Sequence, residues 1–164
     1  MRAWFRKHEI ALTLLLALAV MALIFCFSAQ DGEKSGRTSG FLTALALRLF
    51  VPDYASLPAP ERTTLYERVS LIVRKSAHFG EFALLGFSLA LHFLARARRE
   101  GCARPALWAA LTGILYAGTD ELHQIYVAGR GPSLRDVGID ALGVLFGLTL
   151  VFAYQKMRRK RLFE

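Results

Sequence analysis

Three groups of polar side chains interrupt an otherwise lipid-like chain: Lys75, His78 and Glu81; Asp120, Glu121, His123 and Gln124; and Arg130, Ser133, Asp136 and Asp140. Two imidazoles among several carboxylates are the residue types for general acid–base catalysis or for holding a divalent metal. Lys75 and Arg130 supply a point-charge ammonium and a forked guanidinium, donors that recognise phosphate. No His-Glu-x-x-His pattern and no serine or cysteine nucleophile signature accompanies them, so the types name a class of chemistry without naming a reaction. Lys75, His78 and Glu81 stand three apart, within reach of one another on a helix, while Asp120, His123 and Gln124 share one helical face with Glu121 about 100° away. Asp136 and Asp140 share a face with Gly143 and Gly147, whose small-xxx-small spacing lets a second helix approach and turns both carboxylates inward.

The elements that position these groups are membrane helices. The sequence is 54% hydrophobic over 164 residues, with a mean hydropathy of +0.36, which excludes an ordinary soluble domain. The clearest span is 10–27, uncharged and close to the roughly 20 residues that cross a bilayer core. A cleavable signal peptide is the rival reading, but Phe25 and Phe27 stand where a cleavage site requires small residues. Further spans are expected at about 75–95, 105–127 and 136–154. Long unbroken apolar runs satisfy their backbone hydrogen bonds as helices, so the expected fold is an all-α integral membrane bundle of four transmembrane helices, one domain over residues 1–164.

Basic residues favour the cytoplasmic side in short loops and tails. Arg2, Arg6 and Lys7, then Arg96, Arg98, Arg99 and Arg104, then Lys156, Arg158, Arg159, Lys160 and Arg161 hold more than half of the chain's 21 Lys and Arg residues. Both termini are therefore expected to be cytoplasmic, and all three polar groups fall at the external ends of their spans. Ionisable groups at that depth mark a functional site by default. The net charge of +8 is explained by these topology anchors, and no nucleic-acid partner is expected. Cys26 and Cys102 fall on opposite sides of the membrane, so no intrachain disulfide is expected.

The first extracellular loop is long. Its apolar stretch from Gly40 to Val51 is too short to span and suits the interface. After Pro52, Pro58 and Pro60, the positions Leu65, Val69, Ile72 and Val73 recur at helical spacing, which predicts an amphipathic helix leading into the second span. The loop either lids the outer end of the bundle or lies along the lipid surface. Structural roles compete for several residues. Ser133 and Asp136 read as a Ser-x-x-Asp capping box after the Gly131–Pro132 turn. Ser28 and Gln30 read as the end of the first helix, with Asp31–Gly32 as its stop. Lys75 can snorkel to the headgroups, and His92 reads as a hydrogen-bonded packing residue.

These residues resemble the VanZ-like membrane proteins, a family named for an accessory factor in teicoplanin resistance. The resemblance rests on Phe-Ser-Ala-Gln at 27–30, Arg-Lys-Ser-Ala-His-Phe-Gly-Glu-Phe at 74–82, and the stretch 120–137 with Asp-Glu-x-His-Gln, Arg130 and Asp136, followed by Asp140, Gly143 and Gly147. The family pattern commonly has Tyr where Phe82 stands and Asn where Asp140 stands. The resemblance implies a multi-pass protein of the bacterial cytoplasmic membrane linked to the cell envelope and glycopeptide tolerance, with no reaction implied.

Three functions fit the chemistry. The first is binding of an anionic lipid or a lipid-linked peptidoglycan precursor by Lys75 and Arg130, with Glu81 and the other acids holding those cations and Gln124 among the ligand-binding residues. The second is an intramembrane enzyme acting on a lipid-linked envelope intermediate, with His123 or His78 as acid–base and Asp120, Glu121, Asp136 or Asp140 orienting it or binding metal. The third is a lipid or proton-coupled carrier. No cofactor is expected, a divalent metal being the one addition the donor set admits. A purely structural network of ions remains the alternative to all three.

Overall fold

A computed structural model describes the backbone of residues 2–30, 32–131 and 133–160, and the side chains of 8–30, 39–131 and 133–158. Five α-helices make up the described chain: α1 (Arg2–Ser28), α2 (Gly32–Phe50), α3 (Ala59–Glu100), α4 (Pro105–Gln124) and α5 (Leu134–Lys160), with one 3-10 turn at Tyr54–Ser56. No strand occurs among the described residues. Three helices are long and apolar enough to cross a membrane: α1 from His8 to Ser28, α3, and α5 from Leu134 to Arg158. The 20 residues of α4 end in the polar turn Asp120–Gln124 and fall outside that set.

α3 is the axis of the molecule, packing against all four other helices. Its 42 residues make a rod of roughly 60 Å, about twice a bilayer core. The amphipathic segment and the second span expected from sequence are thus one helix, because nothing breaks it. Pro60 is tolerated in its first turn, and the next stop is Gly101, whose left-handed φ of +71° lets its N–H reach the Arg96 carbonyl. The apolar stretch expected at the interface is the second half of α2. Thr43 and Leu47 are buried there, while Phe41, Leu49 and Phe50 point outward.

The closest helix pair is α3 with α5. An added Cβ at Gly86 would strike the Val144 carbonyl, one at Gly143 the Phe79 carbonyl, and one at Gly147 the Ala83 carbonyl. Small residues therefore bring the two backbones together, as the Gly143–Gly147 spacing predicted, and the partner helix is α3. Ile24, Phe82, Leu85, Leu89 and Val144 fill the core between the helices. The outward faces of α1 and α5 carry Leu15, Leu18, Phe25, Leu142 and Leu150, surfaces suited to lipid.

The other sequence expectations are refined locally. α4 stops at Gln124, three residues short of the expected 105–127 span, and the chain turns through Ile125 to Val127. Thr13 Oγ1 and His92 Nδ1 lie 3.4 Å apart, with the Phe93 ring edge-on to the imidazole, so His92 packs as expected. Asp31 and Pro132, read as parts of a helix stop and a turn, lie outside the described residues, as do the side chains of Arg2, Arg6, Lys7, Arg159, Lys160 and Arg161.

Candidate functional site

Four helices deliver polar side chains to one end of the bundle. α1 brings Ser28 at its last residue, α3 brings Arg74 to Glu81, α4 its final turn, and α5 its first turns; the connection 125–133 adds Arg130. These groups enclose a cleft of about 190 Å³, with Arg74, Lys75, His78, Glu121, Arg130 and Asp140 in its wall. Gln124 and Asp136 line it as well.

The carboxylates lie deepest. Asp120 is 3% exposed, Glu121 4% and Asp140 2%, values that ionisable groups reach only with compensation from partners. Ser28, fully buried, donates from Oγ to Asp120 Oδ2 at 2.7 Å. Gln124 Nε2 donates to the same oxygen at 3.2 Å, and Asp120 Oδ1 is buried with no hydrogen-bond partner. Glu121 faces the other way, as the 100° offset predicted, and its Oε1 accepts the Ser133 backbone N–H. Both acids are nevertheless buried, because the last turn of α4 is covered on one side by α1 and on the other by the connection into α5. Glu121 Oε2 and Glu81 Oε2 are also buried without a partner.

The basic groups sit nearer the opening. Lys75 pairs with Asp136 across α3 and α5, each side chain about a third exposed at 31% and 32%. Arg74 and Arg130 approach closely enough to repel one another, and the Nε of each is buried without an acceptor among the described residues. Burial, reinforced by Arg74, holds the Arg130 guanidinium below its ordinary pKa. It remains a cation in a poorly solvating place. Among the described residues Glu121, Asp136 and Asp140 line the cleft with Arg74, Lys75 and Arg130, and Glu81 and Asp120, which do not line it, lie close enough to add two further acids.

Three sequence readings change. Ser28 reads locally as a helix terminus, yet its hydroxyl is spent on Asp120, 92 residues away. The capping box does not close as written: the Ser133 N–H goes to Glu121 and Asp136 goes to Lys75. The Ser133 carbonyl still accepts from Val137, so Ser133 does open the helix. His123, the first-named acid–base candidate, stacks on Phe25 with ring centroids 4.6 Å apart, outside the residues that line the cleft. His78 is the imidazole that meets the acids: one ligand atom each from His78, Asp120 and Asp140 lie within 4.8 Å of one another.

Two participants carried no role in the sequence reading. Arg74 lay inside the quoted motif at 74–82, one residue before Lys75, and its position there was the available signal. Tyr116, one turn before Asp120, donates its hydroxyl to the Met21 carbonyl at 2.7 Å and ties α4 to α1. A lone tyrosine in an apolar run offers no such hint.

A family model described as VanZ/LLP1 matches residues 13–155, most of the chain. No curated protein and no solved structure matches it.

Proposed function

The chain belongs to the VanZ/LLP1 family, and on that premise we propose that it is a multi-pass protein of the bacterial cytoplasmic membrane that holds an anionic lipid headgroup or lipid-linked envelope precursor in this cleft, contributing to glycopeptide tolerance. One observation supports the reading: Arg74 and Arg130 converge on the cleft with a buried donor each and no acceptor for it among the described residues. Two repelling guanidiniums are stabilised when a phosphate accepts from both, and Arg presents the planar fork that suits it. Lys75, tethered by Asp136, adds a third positive charge beside the opening.

The membrane arrangement belongs to the same proposal. α1, the second half of α3, α4 and α5 make four spans. Glu9, Arg98, Arg99 and Arg158 line one cleft at the end opposite Ser28, so the first turns of α1 and the last of α5 share that end, and its basic residues favour the cytoplasm. The headgroup cleft then faces outward. An enzyme acting on a lipid-linked intermediate is the second reading. It is favoured by the convergence of His78 with Asp120 and Asp140, with His78 rather than His123 as the acid–base group.

The test is a titration of the purified protein, in nanodiscs of neutral lipid, with a short-chain polyprenyl monophosphate and with the uncharged polyprenol. A preference for the phosphate of about tenfold or more, lost in Arg130→Ala, is expected from charge-assisted hydrogen bonds worth about 1.5–3 kcal/mol. Equal binding of the two probes, or a preference unchanged in Arg130→Ala, overturns it. The link to tolerance is checked by teicoplanin susceptibility of a host carrying the wild type or Arg130→Ala. Identical susceptibility despite normal insertion removes that part of the proposal.

A further inference from the structure

The acid excess around the cleft has a structural counterpart beneath it, where His78 and Asp140 line the cleft and Asp120 lies buried next to them without lining it. Asp120 and Asp140 are almost completely buried on two different helices, and His78 from a third helix joins them. Carboxylates held this close repel one another and lose hydration, a combination that a bound cation reverses. Arg130 acts on Asp120 and Glu121 through charge alone, and Arg74, Arg130 and Lys75 do not replace a directly bound cation. Lys75 is committed to Asp136, and no hydrogen bond or ion pair joins Arg74 or Arg130 to Asp120 or Asp140 among the described residues.

Asp120 is prepared as a ligand on one side only. Ser28 and Gln124 both donate to Oδ2, which fixes the carboxylate plane and leaves Oδ1 buried and unpartnered. Donors on the non-coordinating oxygen are how second-shell groups orient a metal-binding carboxylate. The close approach of α5 to α3 at Gly143 and Gly147 holds together the helices that carry Asp140 and His78, and both residues line the cleft. Ligands about 2.0–2.2 Å from a common ion stand roughly 3–4.4 Å apart. The spread of at most 4.8 Å closes to that range with small side-chain rotations.

We infer that His78, Asp120 and Asp140 form a divalent-cation site beneath the cleft. Two carboxylates and one imidazole suit ions that accept oxygen and nitrogen together, such as Mn²⁺ or Zn²⁺. The inference deepens the headgroup proposal for the same cleft: the ion, held below by the three ligands, meets phosphate oxygens from beneath while Arg74 and Arg130 meet them from the rim. One cation compensates the excess of two acids, and the arrangement explains why acids are packed under guanidiniums.

The test uses the full chain, stripped of metal, in neutral detergent without added lipid, with Mn²⁺ as the probe read by electron paramagnetic resonance. One Mn²⁺ per chain is expected, with a coupling to an imidazole nitrogen. His78→Gln should abolish that coupling, and Asp140→Asn should weaken Mn²⁺ binding tenfold or more. Wild-type protein that takes up no stoichiometric Mn²⁺, or takes it up without nitrogen coupling, overturns the site without recourse to any variant. So does coupling that persists in folded His78→Gln. The two proposals fail separately. Mn²⁺ bound as predicted with no preference for polyprenyl phosphate over polyprenol removes the headgroup reading alone. Phosphate preference dependent on Arg130 without any Mn²⁺ uptake removes the cation site alone.

Discussion

The two ends of the bundle use charge in opposite ways. At one end Glu9 pairs with Arg98 and, at 3.5 Å, with Arg99, while Arg96 pairs with Glu100 one turn along the same helix. Those side chains are 28–50% exposed, so water and salt do much of the work of solvating them. At the other end, roughly 36 Å away along α3, the ionisable groups come from four separate elements. Asp120, Glu121 and Asp140 are buried, and at this end six buried polar atoms lack a hydrogen-bond partner among the described residues: Arg74 Nε, Glu81 Oε2, Asp120 Oδ1, Glu121 Oε2, His123 Nε2 and Arg130 Nε. Self-sufficient charge pairs anchor and orient a membrane protein. Charges that are buried and incompletely satisfied are what the proposed headgroup would complete.

The difference can be broken most severely at the contact that holds the cleft together. Gly147→Val places side-chain atoms against the Ala83 backbone of α3. It should cost about 3 kcal/mol in a detergent unfolding titration and abolish polyprenyl phosphate binding by separating α3 from α5. Next is Arg130→Ala, which should weaken the phosphate probe by about 10–100-fold in the nanodisc titration while leaving the unfolding midpoint nearly in place. Ser28→Ala removes the shorter of two donors to Asp120 Oδ2. It should cost about 1–2 kcal/mol in the unfolding titration and lower Mn²⁺ affinity, since Asp120 loses its orientation. The smallest effect belongs to the opposite end. Glu9→Ala should cost less than about 1 kcal/mol, and about 1 M salt should erase even that difference.

The sequence disclosed the two ends unequally. Apolar runs and clustered Lys and Arg residues made the helices and the basic end legible, because both depend on local composition. The Gly143–Gly147 spacing announced a close helix contact without naming α3 as the partner. The polar cluster was legible as a set, since Lys75, His78, Glu121, Gln124, Arg130, Asp136 and Asp140 all line the cleft. Its wiring was not. Ser28 looks like a helix end because its partner is 92 residues distant. Asp136 fits a capping box by spacing, yet Lys75 from another helix outcompetes that local bond. His78 and His123 are chemically equivalent in sequence, and tertiary packing separates them: Phe25 stacks on His123, while His78 lines the cleft and meets Asp120 and Asp140. Helical periodicity states which residues share a face, whereas the identity of the opposing helix is set by tertiary packing.

Mass spectrometry of lipid copurified with the wild type, Arg130→Ala and Arg98→Ala distinguishes an anionic lipid held at the incompletely satisfied end from one held at the exposed end. A stoichiometric anionic lipid is expected on the wild type and on Arg98→Ala, and its loss from Arg130→Ala. Equal retention by all three proteins, or a loss from Arg98→Ala as large as that from Arg130→Ala, would contradict that placement.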